Sequence, residues 1–441
     1  MKVFRDSIRK IDIRHADKYK LSVWNTIIPY GDSVLCFNSL SGSLAMMSED
    51  EYQPVSSVEE KLKLGMVVPE TCDERKEWIE RYTLAKKDES FLDLTIAVSR
   101  NCQLRCVYCF EGAKVRHNIT PEAVEKIKSF VKSKIGSLKV LRVTWFGGEP
   151  LMHLPAICEL SEYFRKLCSS NGVRYFADIT TNGVGLTAQA RHSLVHDCDV
   201  RRYIITIDGP KEIHDRRRIF PGGQGSFDII WKNILALSKE DVGITIRVTI
   251  DKENVDGIKD FIDFVAENMD RKRVSMVFVR THDFSFTPED VKSTVFTNRQ
   301  FAPIETDLIV YASSNGIGEV PLPHHAPLGG CLRESDIVIG TDGEVYRCLD
   351  TIGEEKWIAG SISDMEKPQW YREWLAWNPA DGKCGSCRLL PLCSGGCPHN
   401  ALFMDKKHGT EDQCPDWKYN FIDHIRLYVN KKLELKEYAE V

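Results

Sequence analysis

Ten of the fifteen cysteines fall into two groups whose close spacing could bind metal. Cys102, Cys106 and Cys109 lie within the segment SRNCQLRCVYCFEG. The second group lies in the last quarter of the chain and comprises Cys331, Cys348, Cys384, Cys387, Cys393, Cys397 and Cys414. Because short gaps between cysteines let several thiolates converge on one centre, both groups predict zinc or iron–sulfur sites.

The first group offers three thiolates, whereas a structural zinc site normally closes with four protein ligands. Three thiolates on a four-iron cluster leave one iron open to another ligand. The spacing, with Tyr108 before the last cysteine, resembles the signature of the radical S-adenosylmethionine (SAM) family. In that family the open iron chelates SAM, and electron transfer from the cluster cleaves SAM to a 5′-deoxyadenosyl radical. The resemblance implies SAM as a cofactor and a catalytic [4Fe-4S] cluster on Cys102, Cys106 and Cys109.

Further motifs at the ends of predicted strands extend this resemblance. The run GGEP resembles the family's motif for the SAM amine, where Glu149 offers a negative charge to the ammonium. The block ITIDGPKEIHDRRR resembles a stretch of one branch of the family, and Arg247 offers a bidentate contact to the SAM carboxylate. Taken singly, each such residue could instead cap a helix or form a turn. The SAM contacts implied by the resemblance are Tyr108, Gly147, Gly148, Glu149, Pro150, Thr181, Asn182, Thr206, Asp208 and Arg247.

From about residue 92 the sequence alternates between short β-rich runs and helical stretches. Because parallel strands need crossover connections, this alternation predicts βα units. The predicted fold class is α/β, a partial (β/α)6 barrel of the radical SAM type over residues 91–324, with its active site at the carboxyl ends of the strands. The runs are LDLTIAVS, VLRVTWFG, RYFADITTNG, RRYIITIDG, GITIRVTID and VSMVFVRTH. The helical stretches are TPEAVEKIKSFVKSK, HLPAICELSEYFRKLCSS, TAQARHSLVHD, SFDIIWKNILALSKE and VDGIKDFIDFVAEN.

The second cysteine group resembles the seven-cysteine SPASM pattern of radical SAM enzymes that modify peptides and proteins. The resemblance implies an irregular SPASM domain at 325–425 with two auxiliary [4Fe-4S] clusters, followed by a C-terminal helix or tail at 426–441. By resemblance, the outer cluster uses Cys384, Cys387, Cys393 and Cys414, and the inner cluster uses Cys331, Cys348 and Cys397. No cysteine lies between Cys331 and Cys348, so the inner cluster has an open iron or a ligand other than cysteine. Asp350 is a candidate general base, and a simple turn residue in CLDTIGEE is the other interpretation.

The pattern of residues 1–90 predicts a small α+β module ahead of the barrel. KLSVWNTIIPY, SVLCFNS and GSLAMMS are typical of short strands, and SVEEKLKLGMVV and CDERKEWIERYTLAKK of amphipathic helices. Several relatives that crosslink ribosomally made peptides carry here a winged-helix unit resembling PqqD, which binds a precursor's leader as an added strand. We therefore interpret the module as a PqqD-like leader-recognition unit, with a structural cap on the barrel as the alternative.

Composition narrows the partners and the compartment. With 59 Lys and Arg against 64 Asp and Glu, the net charge is −5, which gives no bulk field for capturing nucleic acid. No apolar run is long enough for a membrane span, and the N-terminus is too charged for a signal peptide. We therefore expect a cytoplasmic protein with reduced thiols. The five cysteines outside the two groups are expected to pack as small apolar residues, namely Cys36, Cys72, Cys158, Cys168 and Cys198.

Together these features predict a radical SAM/SPASM peptide maturase. The leader of a precursor peptide would dock on the N-terminal module, and the adenosyl radical would remove a hydrogen atom from the core peptide. The missing cysteine of the inner cluster favours a substrate sulfur as acceptor and hence a thioether bond, with a carbon–carbon crosslink as the close alternative. Formylglycine formation on a sulfatase is a second enzyme class, and a zinc-binding scaffold is the non-enzymatic one. The expected partners are the precursor peptide and an external electron donor such as flavodoxin or ferredoxin.

Overall fold

A computed structural model describes residues 1–5, 13–109, 117–283, 289–320, 322, 331–403 and 414–437. The chain divides into two compact units. The first unit combines Met1–Lys86, Val320–Gly329 and Ala376–Val441, and the second combines Lys87–Glu319 and Gly330–Leu375. The division into segments at 1–90, 91–324, 325–425 and 426–441 stays a prediction.

The first unit contains a four-stranded antiparallel sheet in the order β1-β5-β4-β3 and a separate antiparallel pair of β2 with β6. Leu35 and Phe37 of the sheet pack against Phe421 and Ile425 of the last helix, which begins at Trp417. That helix therefore starts before the predicted boundary at 426. The six strands are β1 (Lys2–Arg5), β2 (Tyr19–Leu21), β3 (Asn25–Tyr30), β4 (Ser33–Asn38), β5 (Leu44–Met47) and β6 (Val67–Pro69).

One predicted helix of this unit was wrong in its second half. The segment SVEEKLKLGMVV is helical only over Val58–Lys63, and its end belongs to β6. Gly65 has a φ of 70°, a left-handed conformation that ends helices and suits glycine. The β-branched Val67 then pairs with Leu21 of β2, which is a strand environment.

The second unit is built on an eight-stranded sheet in the order β14-β13-β11-β10-β9-β7-β15-β16. All neighbours in it are parallel except β15 and β16. β8 and β12 form a separate antiparallel pair. The strands are β7 (Phe91–Ser99), β8 (Arg105–Cys106), β9 (Val140–Gly147), β10 (Arg174–Thr181), β11 (Val200–Thr206), β12 (Arg218–Ile219), β13 (Gly243–Ile250), β14 (Val274–Arg280), β15 (Ile337–Ile339) and β16 (Val345–Tyr346).

The six β-rich runs predicted from the sequence are the six neighbouring parallel strands β7, β9, β10, β11, β13 and β14. The α/β class with a parallel central sheet is therefore confirmed. Each predicted helical stretch between two runs is also helical, and Thr120 begins the first by accepting a hydrogen bond from the Ala123 amide. Strands of consecutive βα units lie side by side because right-handed crossovers return each strand next to the last one.

The helices of the two units are Glu49–Tyr52, Val58–Lys63, Glu74–Lys86, Pro121–Lys134, Leu154–Ser170, Ala188–His192, Lys211–Arg217, Phe227–Leu237, Ile258–Asn268, Glu289–Lys292, Asn298–Ser314, Gln369–Ala376, Leu390–Cys393, Pro398–Phe403 and Trp417–Glu437. Short single turns of other helix types lie at Pro150–His153, Ser193–Asp197, Val255–Gly257, Leu349–Thr351, Glu355–Trp357, Pro379–Asp381 and Lys383–Ser386. Among the described residues, no helix combines the length and apolar character needed to cross a membrane.

Candidate active site

A cavity of about 520 Å³ lies in the second unit where parallel strands end. Its wall includes the last residues of three neighbouring strands, Gly147 of β9, Thr181 of β10 and Thr206 of β11. Because parallel strands bring their carboxyl ends to one edge, residues far apart in sequence meet here. The volume is in the range of small-molecule binding sites.

Most of the predicted site residues of this unit line the cavity. The exceptions are Glu149, Pro150 and Asp208, which are buried and are not part of the cavity wall. Those on the wall are Cys102, Cys106, Tyr108, Cys109, Gly147, Gly148, Thr181, Asn182, Thr206, Arg247, Cys331, Cys348 and Asp350. The structure thus brings the first cysteine group together with two cysteines of the second group.

The loop that carries the first cysteine group is anchored on the short pair β8–β12. Cys106 of β8 pairs with Arg218 of β12, and the Cys109 amide donates to the Cys106 carbonyl oxygen at 3.1 Å. The Asn182 side-chain amide donates to Cys102 Sγ at 3.6 Å. Residues at the ends of β7, β8, β10 and β12 therefore meet around these thiols.

Burial favours the neutral form of these thiols, so their thiolates need a positive charge nearby. Burial raises the pKa of the Cys102 and Cys106 thiols to about 11, and the nearby Arg218 guanidinium acts in the opposite direction. A bound metal supplies the positive charge that a buried thiolate lacks. Three thiols on one wall are also the donor set of a four-iron cluster with one open iron. Across the described ranges, no group of three or more His, Cys, Asp or Glu side chains is arranged to hold a metal ion.

Glu149 is fully buried, and its carboxylate bonds to groups of the protein rather than facing the cavity. Its carboxylate accepts hydrogen bonds from Thr181 Oγ1 at 2.6 Å, the Asn182 amide at 2.7 Å and the Leu151 amide at 3.0 Å. It therefore fixes the end of β10, which presents Asn182 to the cavity. Direct contact of Glu149 with the SAM amine stays a prediction, and the position of its carboxylate gives it a positioning role.

The two glycines before Glu149 have a structural reason of their own. Gly147 has a φ of 133°, and a Cβ there would collide with the Ser99 carbonyl oxygen of β7. A Cβ at Gly148 would lie 2.9 Å from the Arg100 carbonyl oxygen. Glycine is thus needed where β9 passes the end of β7, whether or not a ligand approaches.

Tyr108 connects the cysteine loop to the end of β11. Its hydroxyl donates to Asp208 Oδ2 at 2.6 Å and accepts from Arg218 Nη1 at 2.7 Å. His214 lies behind Asp208, and its Nδ1 accepts from the Asp208 amide at 3.3 Å. Burial lowers the pKa of His214 to about 3, so the ring is neutral and this acceptor role is available. The block ITIDGPKEIHDRRR therefore supports the cysteine loop from behind.

Sequence reasoning missed the ion-pair network that completes this support. Arg217 donates to both carboxylate oxygens of Asp251 at 2.9 Å and lies 3.5 Å from Asp208. Thr281 Oγ1 donates to the same Asp251 at 3.0 Å. Arg217 also stacks over the Tyr108 ring at 5.0 Å. No local signal indicates these pairs, because Arg217 and Asp251 are 34 residues apart.

Cys331, Cys348 and Asp350 lie on the same cavity wall as the first cysteine group. Cys348 Sγ lies 3.7 Å from Asp350 Oδ2. The side chain of Arg347 also lines the cavity and donates to the Cys331 carbonyl oxygen at 2.9 Å. Cys397, the third predicted ligand of the inner cluster, belongs to the first unit.

A second cavity of about 180 Å³ lies in the first unit and collects the other predicted ligands. All four cysteines assigned to the outer cluster line it, namely Cys384, Cys387, Cys393 and Cys414. Lys418 Nζ donates to Cys414 Sγ at 3.1 Å, and burial raises the pKa of Cys393 to about 12. Four thiols around one small cavity fit a fully cysteine-ligated four-iron cluster.

Comparison with known proteins identifies the class to which this site belongs. Residues 96–265 match the family described as the radical SAM superfamily. This range holds the first cysteine group and the strands from which most of the cavity is built. The chain therefore contains a radical SAM domain, and the resemblance seen in the sequence is confirmed.

Individual relatives extend over more of the chain. It is 26% identical over 381 residues to a Clostridium novyi protein named cysteine-type anaerobic sulfatase-maturating enzyme, covering 77% of this chain and 97% of that one. The fold is similar to native anSMEcpe with bound AdoMet and Kp18Cys peptide, with a TM-score of 0.58 and 18% identity over 77% of this chain and 99% of that one. It is also similar to Streptococcus suis SuiB bound to precursor peptide SuiA, with a TM-score of 0.53 and 13% identity over 90% of this chain and 100% of that one.

Proposed function

We propose that this protein is a radical SAM enzyme that modifies a peptide substrate, and that its product carries a thioether bond. The observation that carries the proposal is the cavity of the second unit, whose wall joins the first cysteine group to Cys331, Cys348 and Asp350. A substrate in this cavity would touch the site of radical formation and a second thiol site at once.

The relatives support the choice of a peptide. One structural neighbour is SuiB bound to precursor peptide SuiA and another is anSMEcpe with a Cys peptide. The match to SuiB extends over 90% of this chain, including segments on both sides of the radical SAM domain. An N-terminal leader-recognition module remains part of the proposal, as does a peptide carrying a leader.

The chain's own residues divide the work of binding. Cys102, Cys106 and Cys109 would hold the [4Fe-4S] cluster, while Asn182 and Thr206 would contact SAM. Arg247, which lies on β13 with its side chain on the cavity wall, would pair with the SAM carboxylate. When bound, the cluster and SAM supply a 5′-deoxyadenosyl radical that removes a hydrogen atom, and two auxiliary clusters would supply an electron acceptor.

Asp350 is the proposed acceptor of the proton that a substrate thiol releases as its sulfur bonds to carbon. Its carboxylate lies 3.7 Å from Cys348 Sγ, at the edge of the proposed inner site. A substrate sulfur bound beside Cys348 would lie near this carboxylate, which would then take up the proton without bulk water. A carbon–carbon crosslink would leave Asp350 without this task.

Formylglycine formation on a sulfatase is the second candidate. It is favoured by the match to the cysteine-type anaerobic sulfatase-maturating enzyme, which covers 97% of that protein. Both reactions would use the same radical site, so the product distinguishes them. A zinc-binding scaffold is the remaining alternative.

The test is anaerobic reconstitution followed by incubation with SAM, a reductant and two peptides. One is a Cys-containing precursor peptide sought among short reading frames beside the gene, and the other is a sulfatase-derived Cys peptide. Loss of two hydrogens with loss of the alkylatable thiol supports a thioether, whereas retention of the thiol indicates a carbon–carbon bond. A new aldehyde on the sulfatase peptide identifies the second candidate. Zinc binding without SAM cleavage would overturn the enzyme proposal.

A further inference from the structure

Arg347 has one of the most enclosed charged side chains in the described part of the chain. Its side chain is 1% exposed and lies on the wall of the main cavity. Nη2 donates to the carbonyl oxygens of Cys331 at 2.9 Å and Arg333 at 2.6 Å. Nη1 donates to the carbonyl oxygens of Asp336 and Glu334. One guanidinium therefore holds the whole turn that carries Cys331.

Among the described residues, no carboxylate contacts the guanidinium of Arg347 directly. Within the described residues, no Asp or Glu oxygen lies within 4 Å of its guanidinium, and Nε has no hydrogen-bond partner. The Asp336 carboxylate interacts electrostatically with Arg347 but makes its ion pair with Arg333 at 3.8 Å. A buried cation that no carboxylate contacts directly is costly, so this arrangement points to an anion that the site receives.

The position of Arg347 connects the two cysteines of this wall. It directly precedes Cys348 in the chain and holds the carbonyl group of Cys331. Trp374 Nε1 donates to the same Cys331 carbonyl oxygen at 2.8 Å but carries no charge. Substitution of Trp374 therefore tests the loss of a hydrogen bond to Cys331 alone, whereas substitution of Arg347 also removes a positive charge.

A comparable arginine lies beside the first cysteine group. Arg218 is 7% exposed and donates to the Tyr108 hydroxyl, and its Nε has no partner. Among the described side chains it too makes no ion pair with a carboxylate within 4 Å. Each thiol set on the cavity wall is thus accompanied by one buried guanidinium that no described carboxylate contacts directly, although Asp208 and Asp336 interact with Arg218 and Arg347 electrostatically.

We infer that Arg347 is the positioning residue and charge partner of an anionic iron–sulfur centre held in part by Cys331 and Cys348. This inference rests on the proposed function, because it takes the inner auxiliary cluster as the anion. Thiolates and sulfides give such a centre a net negative charge, and a buried cation beside it stabilises the more reduced, more negative state. Removing the cation should therefore make the centre harder to reduce.

The experiment compares four reconstituted holoenzyme variants with the unmodified protein. Arg347→Met removes the charge, and Arg347→Lys keeps it. Trp374→Phe removes a hydrogen bond to Cys331 without a change in charge. Arg202→Met is the matched control, because Arg202 pairs with Asp178 at 2.8 Å away from this cavity. The readouts are iron per chain, the reduction potentials of the auxiliary clusters and SAM cleavage without peptide.

We expect Arg347→Met either to lose about four irons per chain or to shift one auxiliary potential to more negative values. Arg347→Lys should recover part of the iron or of the potential, while Trp374→Phe should retain the potential and Arg202→Met should retain both. SAM cleavage without peptide should persist in Arg202→Met, which lies outside the cavity.

Unchanged iron and potentials in Arg347→Met would overturn the inference, as would an Arg347→Lys variant no better than Arg347→Met. An equal shift in Trp374→Phe would reduce Arg347 to a structural role. If Arg347→Met does not fold, the comparison of Arg347→Lys with Trp374→Phe decides by the same criteria. If the unmodified protein binds only about four irons, the auxiliary clusters of the proposed function fail too, whereas a full complement with an indifferent Arg347 overturns this inference alone.

Discussion

Cysteine thiols in this chain differ in acidity according to the groups that surround each sulfur. Burial raises the pKa of Cys102, Cys106 and Cys168 to about 11. Cys158 is the exception, because its sulfur lies 3.7 Å from that of Cys198 and a hydrogen bond between the two lowers its pKa to about 7. The expectation that Cys158 and Cys198 pack as small apolar residues did not include this contact between their sulfurs.

We predict that Cys158 is the most reactive of the cysteines outside the two predicted metal-binding groups. A pKa lowered to about 7 means that the thiolate appears as pH rises through 7 rather than through 9. Cys198→Ala should shift the pKa of Cys158 back towards 9 and thus slow its alkylation at pH 7. Iodoacetamide labelling followed by peptide mapping checks this, with buried Cys168 as the unlabelled control. Equal labelling in the presence and absence of Cys198 would contradict it.

Glu149 is the second residue whose environment makes a sharp prediction. Glu149→Gln replaces one acceptor oxygen by an amide that faces the Thr181, Asn182 and Leu151 donors. The unmatched buried groups should cost about 1–3 kcal/mol of folding free energy and weaken SAM binding through the displaced Asn182. Urea unfolding and equilibrium dialysis with SAM measure the two effects. Exposed Glu162→Gln is the control, and similar values for both variants would refute the positioning role of Glu149.

Pairs of neighbouring elements, rather than single elements, create the charged interior of the second unit. β15 lies beside β7, and their pairing places Asp336, which directly precedes β15, near Asp93 of β7. Burial and Asp93 raise the pKa of Asp336 to about 7, while Arg333 and Arg347 act in the opposite direction. The folded chain therefore binds a proton at Asp336 more tightly than the unfolded chain does.

This shift predicts a pH-dependent stability. Because the folded pKa is raised above its ordinary value of 3.8, the contribution of Asp336 is full below about pH 4 and is lost as pH rises through about 7. Asp336→Asn should therefore raise the melting temperature most at pH 8 and by less at pH 5. Arg333 keeps its contact with the Phe91 ring at 4.3 Å, which limits the loss of its ion pair.

Melting curves from pH 5 to 8 check the Asp336 prediction. Asp364→Asn, an exposed site, is the matched control and should change nothing across that range. A stabilisation that is the same at every pH would contradict the titration of Asp336 as its cause.

The elements themselves were largely predictable because their signals are local. Alternation of apolar runs with amphipathic stretches is visible within 10–20 residues, so the six parallel strands and five helices followed from the sequence. The two-residue strands β8 and β12 were not predicted, because each is stabilised only by the other across 112 residues of chain. The helix predicted through Gly65 was wrong although its signal is local. The periodic apolar pattern was given more weight than the glycine, which ends the helix.

At the scale of the whole molecule, the predicted metal ligands divide between two compact units. The first unit takes residues from both ends of the chain and holds the cavity with Cys384, Cys387, Cys393 and Cys414. The second unit holds the cavity with the first cysteine group. Each cavity is built by its own unit, so loss of ligands in one should leave the other able to bind metal.

We predict that the double variant Cys384→Ala, Cys387→Ala loses about four irons per chain and retains SAM cleavage without peptide. Cys102→Ala should abolish that cleavage because it removes a ligand of the site where SAM would bind. Cys158→Ala is the control that removes a thiol outside both groups. Iron analysis and quantification of 5′-deoxyadenosine test all three, and unimpaired cleavage in Cys102→Ala would contradict the assignment of the cavity.

By itself the sequence determined the class of domain, the order of the strands and the residue types of both thiol groups. Spacing and periodicity are local properties of the chain, so they survive without knowledge of the fold. Only the tertiary structure decided that Cys331 and Cys348 share a wall with Cys102, that Glu149 accepts hydrogen bonds from the chain itself and that Arg347 bonds to backbone carbonyl groups. These facts depend on which distant side chains meet at the ends of parallel strands, and burial there turns a common residue type into a costly charge or a displaced pKa.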